Sequence, residues 1–249
     1  MHTLVSPGMS SAHRFARRLL HVQAVDVFDE TVLLRRCAMY RKAFPMATSN
    51  FPAAVLRSAV VADWIRRHGI GVEACFVDEV DRALSRGVPA KQVVLHCGSG
   101  VDADSVRSAA GAGVQRFRIG AVEQLDALGS GAARVVVDCA ASGWGSLAAE
   151  VIARPGVELI GLHRHIARPD GADGADAVIE MVAGLARLSR RHGVILGQLS
   201  VSGVGFPADD IAALRVAAEV VYEIVGDGCA LCRYPRPVLA LSPAPEDLF

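Results

Sequence analysis

The stretch "RVVVDCAASGWGSLAAEVIARPGVELIGLHRHI", residues 134–166, shows the pattern that decides the fold. Its two ends are short apolar runs rich in β-branched residues, and a helical segment, "LAAEVIA", lies between them. A strand, a helix and a second strand in this order predict a βαβ unit with parallel strands.

The same alternation runs along most of the chain. Eight apolar runs separated by helical patterns predict strands at residues 49–56, 72–76, 93–97, 116–119, 134–139, 158–166, 195–202 and 237–242. Several of the intervening helical patterns end in glycine, the usual residue just past a helix end. Eight strands that alternate with helices favour a closed (β/α)₈ barrel over an open sheet. We therefore expect one α/β TIM-barrel domain at residues 25–249, after a partly irregular segment at residues 1–24.

Two further elements are predicted before the first barrel strand. They are an extra strand, "VDVFDE" at residues 25–30, and a helix, "TVLLRRCAMYRKAF" at residues 31–44. In that helix Leu33, Cys37, Tyr40 and Phe44 recur at helical spacing and form a buried stripe. Lys42 stands about 200° from Tyr40 around the helix axis, so its side chain is expected at the surface.

The composition sets broad limits on function. The 249 residues are 52% hydrophobic, enough for one large core, and the 26 basic residues balance the 26 acidic ones. This balance predicts neither a nucleic-acid partner nor an anionic membrane surface. No apolar run approaches the length of a membrane span, and the N-terminus lacks the order of a secretory signal, so a cytoplasmic protein is expected.

The six cysteines fit a reducing compartment. Four of them lie within strand or helix patterns, which suggests buried free thiols. Cys229 and Cys232 form a single C-x-x-C, and two thiols in a helix or loop are a better interpretation than a zinc or redox site. No metal-ligand spacing is recognised elsewhere, and we expect no metal site.

Several segments resemble the barrel of the fold-type III, pyridoxal-phosphate-dependent decarboxylases, the diaminopimelate decarboxylases in particular. They are "VDVFDETVLLRRCAMYRKAFP", "ADWIRRHGIGVEACFVDEVDRAL", "VVLHCGSG", "VELIGLHRHI" and "PRPVLALSPAP". The resemblance covers residues 25–247 and keeps the order of the elements. It implies a barrel of the alanine racemase N-terminal type, here without the C-terminal β domain that family members carry.

The resemblance also implies where a cofactor-binding lysine would stand. In the family a lysine on the first barrel strand holds pyridoxal phosphate as a Schiff base. Alignment of "RKAFP" (41–45) and "ADWI" (62–65) without gaps puts Ala54 at that position. The chain has two lysines, Lys42 and Lys91, and Lys91 precedes a strand at the amino-terminal face of the barrel, opposite the usual active-site face. We therefore expect no catalytic residue.

Other cofactor positions of the family are partly kept. His165 matches the histidine that stacks on the pyridine ring, and Arg168 replaces part of a Gly-Ser pair that helps hold the phosphate. Gly203 and Gly205 remain from a glycine-rich phosphate loop, and Ser242 stands where a glutamate pairs with the ring nitrogen. The resemblance implies that these five residues are a vestigial site for pyridoxal phosphate or another phosphate ligand.

Simpler interpretations of these residues stay open. The histidines of "HRHI" can be polar residues at a strand end, and "SVSGVGF" can be an ordinary βα turn. Carboxylates at or just past strand ends, among them Glu73 and Asp138, are not paired by the sequence for acid–base work. His96 and Cys97 close a strand and could line the barrel mouth.

Three hypotheses follow. The first is a degenerate decarboxylase-like barrel without pyridoxal-phosphate catalysis, kept for an interaction or regulatory role, with a full-length fold-type III decarboxylase or a second copy of the chain as partner. The second is an enzyme, either a pyridoxal-phosphate-dependent decarboxylase or racemase-like barrel with an altered site or a barrel repurposed for unrelated chemistry. Non-covalent binding of pyridoxal phosphate would instead indicate a vestigial site at His165. The third is a chain with no selected function.

Overall fold

The computed structural model describes residues 29–98, 100–129, 131–206 and 209–249. Eight parallel strands form a closed barrel in chain order, and pairing of the last strand with the first closes it. The strands are β1 Thr48–Pro52, β2 Gly71–Ala74, β3 Val93–His96, β4 Arg116–Ile119, β5 Ala133–Asp138, β6 Val157–His165, β7 Gln198–Val204 and β8 Val238–Pro243. The predicted (β/α)₈ barrel is confirmed.

Helices surround the barrel and connect successive strands. They are α1 Glu30–Ala43, α2 Ala59–His68, α3 Val77–Ser85, α4 Ala103–Gly111, α5 Val122–Ala127, α6 Trp144–Ala153, α7 Ala172–His192, α8 Ile211–Cys232 and the short α9 Pro245–Leu248. None of the described helices is long and apolar enough to cross a membrane. The extra strand predicted at residues 25–30, except for its last two residues, lies outside the described residues, as does the predicted domain boundary.

Local sequence explains where α1 begins and where α8 ends. The Asp29 carboxylate accepts hydrogen bonds from the amides of Thr31 and Val32 and so caps α1. The glycine at position 226, where the helical pattern of residues 208–226 predicts an end, does not end α8, because the buried residues Val225 and Cys229 continue its apolar stripe and the helix runs to Cys232. Cys229 and Cys232 are therefore free thiols of a helix.

The largest differences from the predicted strand bounds lie at the end of β1 and the start of β7. β1 stops at Pro52, which has no N–H to donate to a neighbouring strand, and residues 53–57 form a 3₁₀ turn that contains Ala54. β7 begins at Gln198 and not at Ile195. The reason is that the Tyr234 hydroxyl bonds both the N–H and the carbonyl of Leu196, which withdraws those groups from strand pairing.

The predicted stripe of α1 is buried against the barrel. Tyr40 and Phe44 stack at a ring-centroid distance of 5.4 Å, and Phe44 stacks on Phe206 at 5.6 Å. Lys42 is exposed in the last turn of α1, as predicted. Lys91 is exposed in the short turn immediately before β3.

Strand β6 carries a bulge that makes Gly161 a tightly enclosed position. The register with β5 passes from Leu159 to Gly161 and leaves Ile160 without a pair. Gly161 pairs with Gln198 of β7, and a Cβ atom at residue 161 would overlap the Gln198 carbonyl oxygen. Since that oxygen belongs to the backbone, the barrel has to shift to admit a side chain.

We predict that Gly161→Ala lowers the free energy of unfolding by about 1–3 kcal/mol, the usual cost of overpacking. Chemical denaturation followed by circular dichroism measures this difference. The matched control is Gly197→Ala, because a Cβ atom there meets open space. Equal stability of the two variants would show that the bulge does not exclude a side chain.

Candidate functional site

The interior of the barrel contains a buried ion pair between two strands. Glu73 lies on β2 and Arg118 on β4, and their side chains are 8% and 1% exposed. Nη1 of Arg118 lies 2.5 Å from Oε1 of Glu73. Phe117 and Ile119, the neighbours of Arg118, belong to the apolar core, so the alternation of the strand directs Arg118 into the barrel.

The same ion pair contacts two further strands. Nη2 of Arg118 donates a hydrogen bond of 3.0 Å to Oγ of Ser242 on β8. Nδ1 of His96, the last residue of β3, lies 3.3 Å from Oε1 of Glu73. Four of the eight strands therefore contribute to one polar cluster.

The electrostatics of this cluster keep Glu73 ionised. Burial by itself disfavours the carboxylate, but the Arg118 guanidinium and His96 outweigh burial and hold the pKa of Glu73 well below its usual range. Ser242 lowers this pKa further, although its hydroxyl makes no hydrogen bond of good geometry to the carboxylate. Glu73 is therefore charged at neutral pH.

His163 of β6 forms the other half of the cluster. Its Nδ1 lies 3.3 Å from Oγ of Ser200, its Nε2 lies 3.3 Å from Oγ of Ser202, and its ring packs edge-on against His96 at 5.0 Å. Burial, and then the charge of Arg118, lower the pKa of His163 well below its ordinary value. The imidazole is therefore neutral at pH 7 and can both donate and accept a hydrogen bond.

His165 and Gly203, two of the predicted site residues, are in direct contact. Nδ1 of His165 lies 3.4 Å from the Ser202 hydroxyl, and a Cβ atom at Gly203 would overlap the His165 ring. Gly203 also has a φ of +70°, which favours glycine. The position of the His165 ring and the irregular backbone of β7 at this residue both require glycine here.

Two other predicted residues already have partners. The amide of Gly205 donates a hydrogen bond of 2.8 Å to the Ala167 carbonyl. The Arg168 guanidinium binds the Asp170 carboxylate through two hydrogen bonds of 2.9 and 3.0 Å. A phosphate group would have to displace these contacts to use either residue.

The structure brings His165, Gly203 and Ser242 to one cluster, whereas Gly205 and Arg168 are held beside it by their own contacts. Sequence reasoning did not single out Arg118. The available signal was its place in "RFRI", where an arginine alternates with two apolar residues in a strand expected to be buried on both faces.

The comparisons with known proteins agree with this architecture. Residues 30–142 match the model of the family described as pyridoxal-dependent decarboxylase, pyridoxal binding domain. Over these residues the chain is similar to the pyridoxal-dependent decarboxylases. It is 28% identical over 253 aligned positions to the diaminopimelate decarboxylase of Actinosynnema pretiosum subsp. auranticum, and the match covers 88% of this chain and 56% of that protein. The chain thus spans about half the length of this curated relative.

Solved structures of decarboxylases share the fold. The lysine/ornithine decarboxylase of Vibrio vulnificus superposes with a TM-score of 0.70 at 16% identity over 95% of this chain and 68% of its own. The diaminopimelate decarboxylase of M. jannaschii gives 0.71 at 13% identity over 86% and 59%. The resemblance to a diaminopimelate decarboxylase-like barrel is therefore confirmed.

We predict that neutral, buried His163 makes the protein less stable in mild acid. Below about pH 6.5 a histidine in the unfolded chain binds a proton, while folded His163 does not because its pKa is lowered. The unfolded state then binds more protons, so the free energy of unfolding falls between pH 7 and 5 by at most about 1.4 kcal/mol per pH unit from this residue.

Denaturation at a series of pH values measures this slope. His163→Gln should reduce it by more than the control His68→Gln, which changes an exposed histidine on α2. A wild-type slope in the His163→Gln variant would contradict the assignment.

Proposed function

We propose that this chain is a decarboxylase-like barrel that forms no Schiff base with pyridoxal phosphate and acts by binding another protein. The surroundings of its lysines support this most strongly. Lys42 is exposed at the end of α1, which leads into the amino end of β1, and Lys91 is exposed just before β3. The polar cluster lies toward the carboxyl ends of the strands, where barrels of this type carry their active sites. Neither amine is near it.

The position that the family resemblance assigns to the lysine is Ala54. This residue lies in the 3₁₀ turn directly after β1, at the carboxyl-terminal face of the barrel. A methyl group there supplies no nitrogen for an aldehyde. The carboxyl-terminal face of the barrel is a suitable place for a catalytic residue, but alanine cannot form a Schiff base.

The position that the resemblance assigns to the ring-nitrogen partner is Ser242. Its hydroxyl already accepts a hydrogen bond from Arg118, so a pyridine nitrogen at this place would meet a guanidinium. A nearby cation disfavours a protonated ring nitrogen, and pyridoxal phosphate stabilises a carbanion by drawing electrons into the ring. These residues do not fit decarboxylation through that group.

A surface at the opposite end of the barrel supports a binding role. Four apolar side chains there are more than half exposed, in a set that we call the amino-terminal apolar patch: Met46, Ile195, Leu231 and Val238. Met46 precedes β1, Ile195 precedes β7 and Val238 begins β8. Leu231 lies in the last turn of α8, which leads into β8. The strands β7, β8 and β1 are neighbours in the barrel. Clustered exposed apolar side chains are typical of a protein–protein contact. We propose a full-length decarboxylase of the same family as the partner, with a second copy of this chain as the alternative.

The first prediction concerns the cofactor. After incubation with pyridoxal phosphate and reduction with borohydride, the folded chain should carry no stoichiometric adduct, because both lysines are solvated surface amines. Intact-protein mass spectrometry and peptide mapping measure this, with a full-length diaminopimelate decarboxylase as the positive control. One equivalent of cofactor fixed to Lys42 or Lys91 in the folded chain would overturn the proposal.

The second prediction concerns the apolar patch. The double variant Ile195→Glu, Leu231→Glu should weaken binding to a diaminopimelate decarboxylase at least 10-fold in a biosensor assay, because it places charges in a desolvated contact. The control is Val216→Glu, an exposed apolar residue on α8 about 22 Å along the helix from Leu231.

Sedimentation of the same variants tests the alternative. Self-association that only the double variant abolishes would identify a second copy as the partner. A wild-type chain that stays monomeric and binds no decarboxylase would refute the binding role.

A further inference from the structure

We propose that Glu73, Cys75 and His96 form a binding site for a divalent transition-metal ion, with zinc as the best fit. The site lies where β2 and β3 open toward the mouth of the barrel. It is separate from the amino-terminal apolar patch, so the inference holds whether or not the chain binds another protein.

Strand geometry brings the three side chains together. Glu73 and Cys75 are two residues apart along β2 and its end, so they face the same side. The register pairs Glu73 with Val94 and Ala74 with Leu95, and its continuation sets Cys75 beside His96. One ligand atom from each of the three residues lies within 4.8 Å of the other two. Ligand atoms of tetrahedral zinc stand about 3.3–3.8 Å apart, so small side-chain rotations suffice.

The second carboxylate oxygen of Glu73 points independently to a ligand. Arg118 and His96 both approach Oε1. Oε2 is buried and has no hydrogen-bond partner among the described residues. A buried, charged oxygen without a partner is costly, and a bound cation would satisfy it.

The donor set selects the class of ion. A thiolate, an imidazole and a carboxylate suit zinc, whereas magnesium and calcium prefer oxygen ligands alone. Three protein ligands leave a fourth position, and exposure of Cys75 allows water or a small ligand to reach it. On binding, the Cys75 thiol releases its proton to solvent as the sulfur–metal bond forms. Arg118 keeps its contact with Oε1 of Glu73 when the metal binds. Its positive charge lowers the affinity of the site for the metal cation.

A competing explanation treats Glu73 and His96 only as supports for Arg118. Cys75 separates the two explanations, because its thiol makes no hydrogen bond within the described residues and only its backbone amide is engaged, with Glu79. Under the competing explanation, Cys75→Ser changes nothing. Under the proposal, it removes a metal ligand without disturbing the buried ion pair.

Titration of the chelator-treated full chain with Co²⁺, a coloured substitute for zinc, tests the site. We expect one equivalent to bind, with visible ligand-field bands and a thiolate-to-cobalt charge-transfer band, and zinc should displace it. Cys75→Ser should remove the charge-transfer band, and both Cys75→Ser and His96→Gln should weaken binding at least 10-fold. The matched control is Cys139→Ser, a half-buried thiol just past the end of β5, which should leave the titration unchanged.

Circular dichroism of each variant shows that it is folded before titration. Loss of the charge-transfer band in Cys139→Ser, or its survival in Cys75→Ser, would overturn the proposal. So would the absence of stoichiometric binding to the wild-type chain. Partner binding is measured separately, so each of the two proposals can fail alone.

Discussion

The buried contact between Arg118 and Glu73 is the constraint that organises the inside of this barrel. A charge taken out of water is tolerated only with a partner, and removal of one partner from such a pair typically costs about 3–5 kcal/mol. The pair therefore influences the hydrogen bonding and the protonation of the side chains around it. The Ser242 hydroxyl accepts a hydrogen bond from Nη2 of Arg118. The positive charge of Arg118 also helps to keep His163 neutral. A change at any of these side chains has to leave the two charges matched.

This constraint also bears on which interior residues a barrel of this fold can carry. The overall fold agrees with that of the solved decarboxylases, and one fold can carry different sites. The interior polar residues are free to differ as long as their charges and hydrogen bonds are satisfied. Here Arg118 and Glu73 balance one another's charge beside Ser242, while Oε2 of Glu73 stays without a hydrogen-bond partner among the described residues. The result is an interior that holds a buried pair of opposite charges.

Much of the fold could be predicted from the alternation of apolar runs and helical patterns, including all eight strands and the exposed position of Lys42. The ends of β1 and β7 could not, because a proline and the distant Tyr234 hydroxyl decide them. For the site, the resemblance identified His165 and Ser242. The sequence could not pair Glu73 with Arg118, because barrel closure and strand register bring β2, β4 and β8 together.

A crystal structure of the chain after soaking with pyridoxal phosphate would show whether the interior accepts the cofactor of its relatives. We expect Arg118 to keep its hydrogen bond to Ser242 and its contact with Glu73, with no electron density joined to a lysine nitrogen. Density continuous between the cofactor and Lys42 or Lys91 would contradict this view of the barrel. A pyridine ring that displaces Arg118 from Ser242 would contradict it as well.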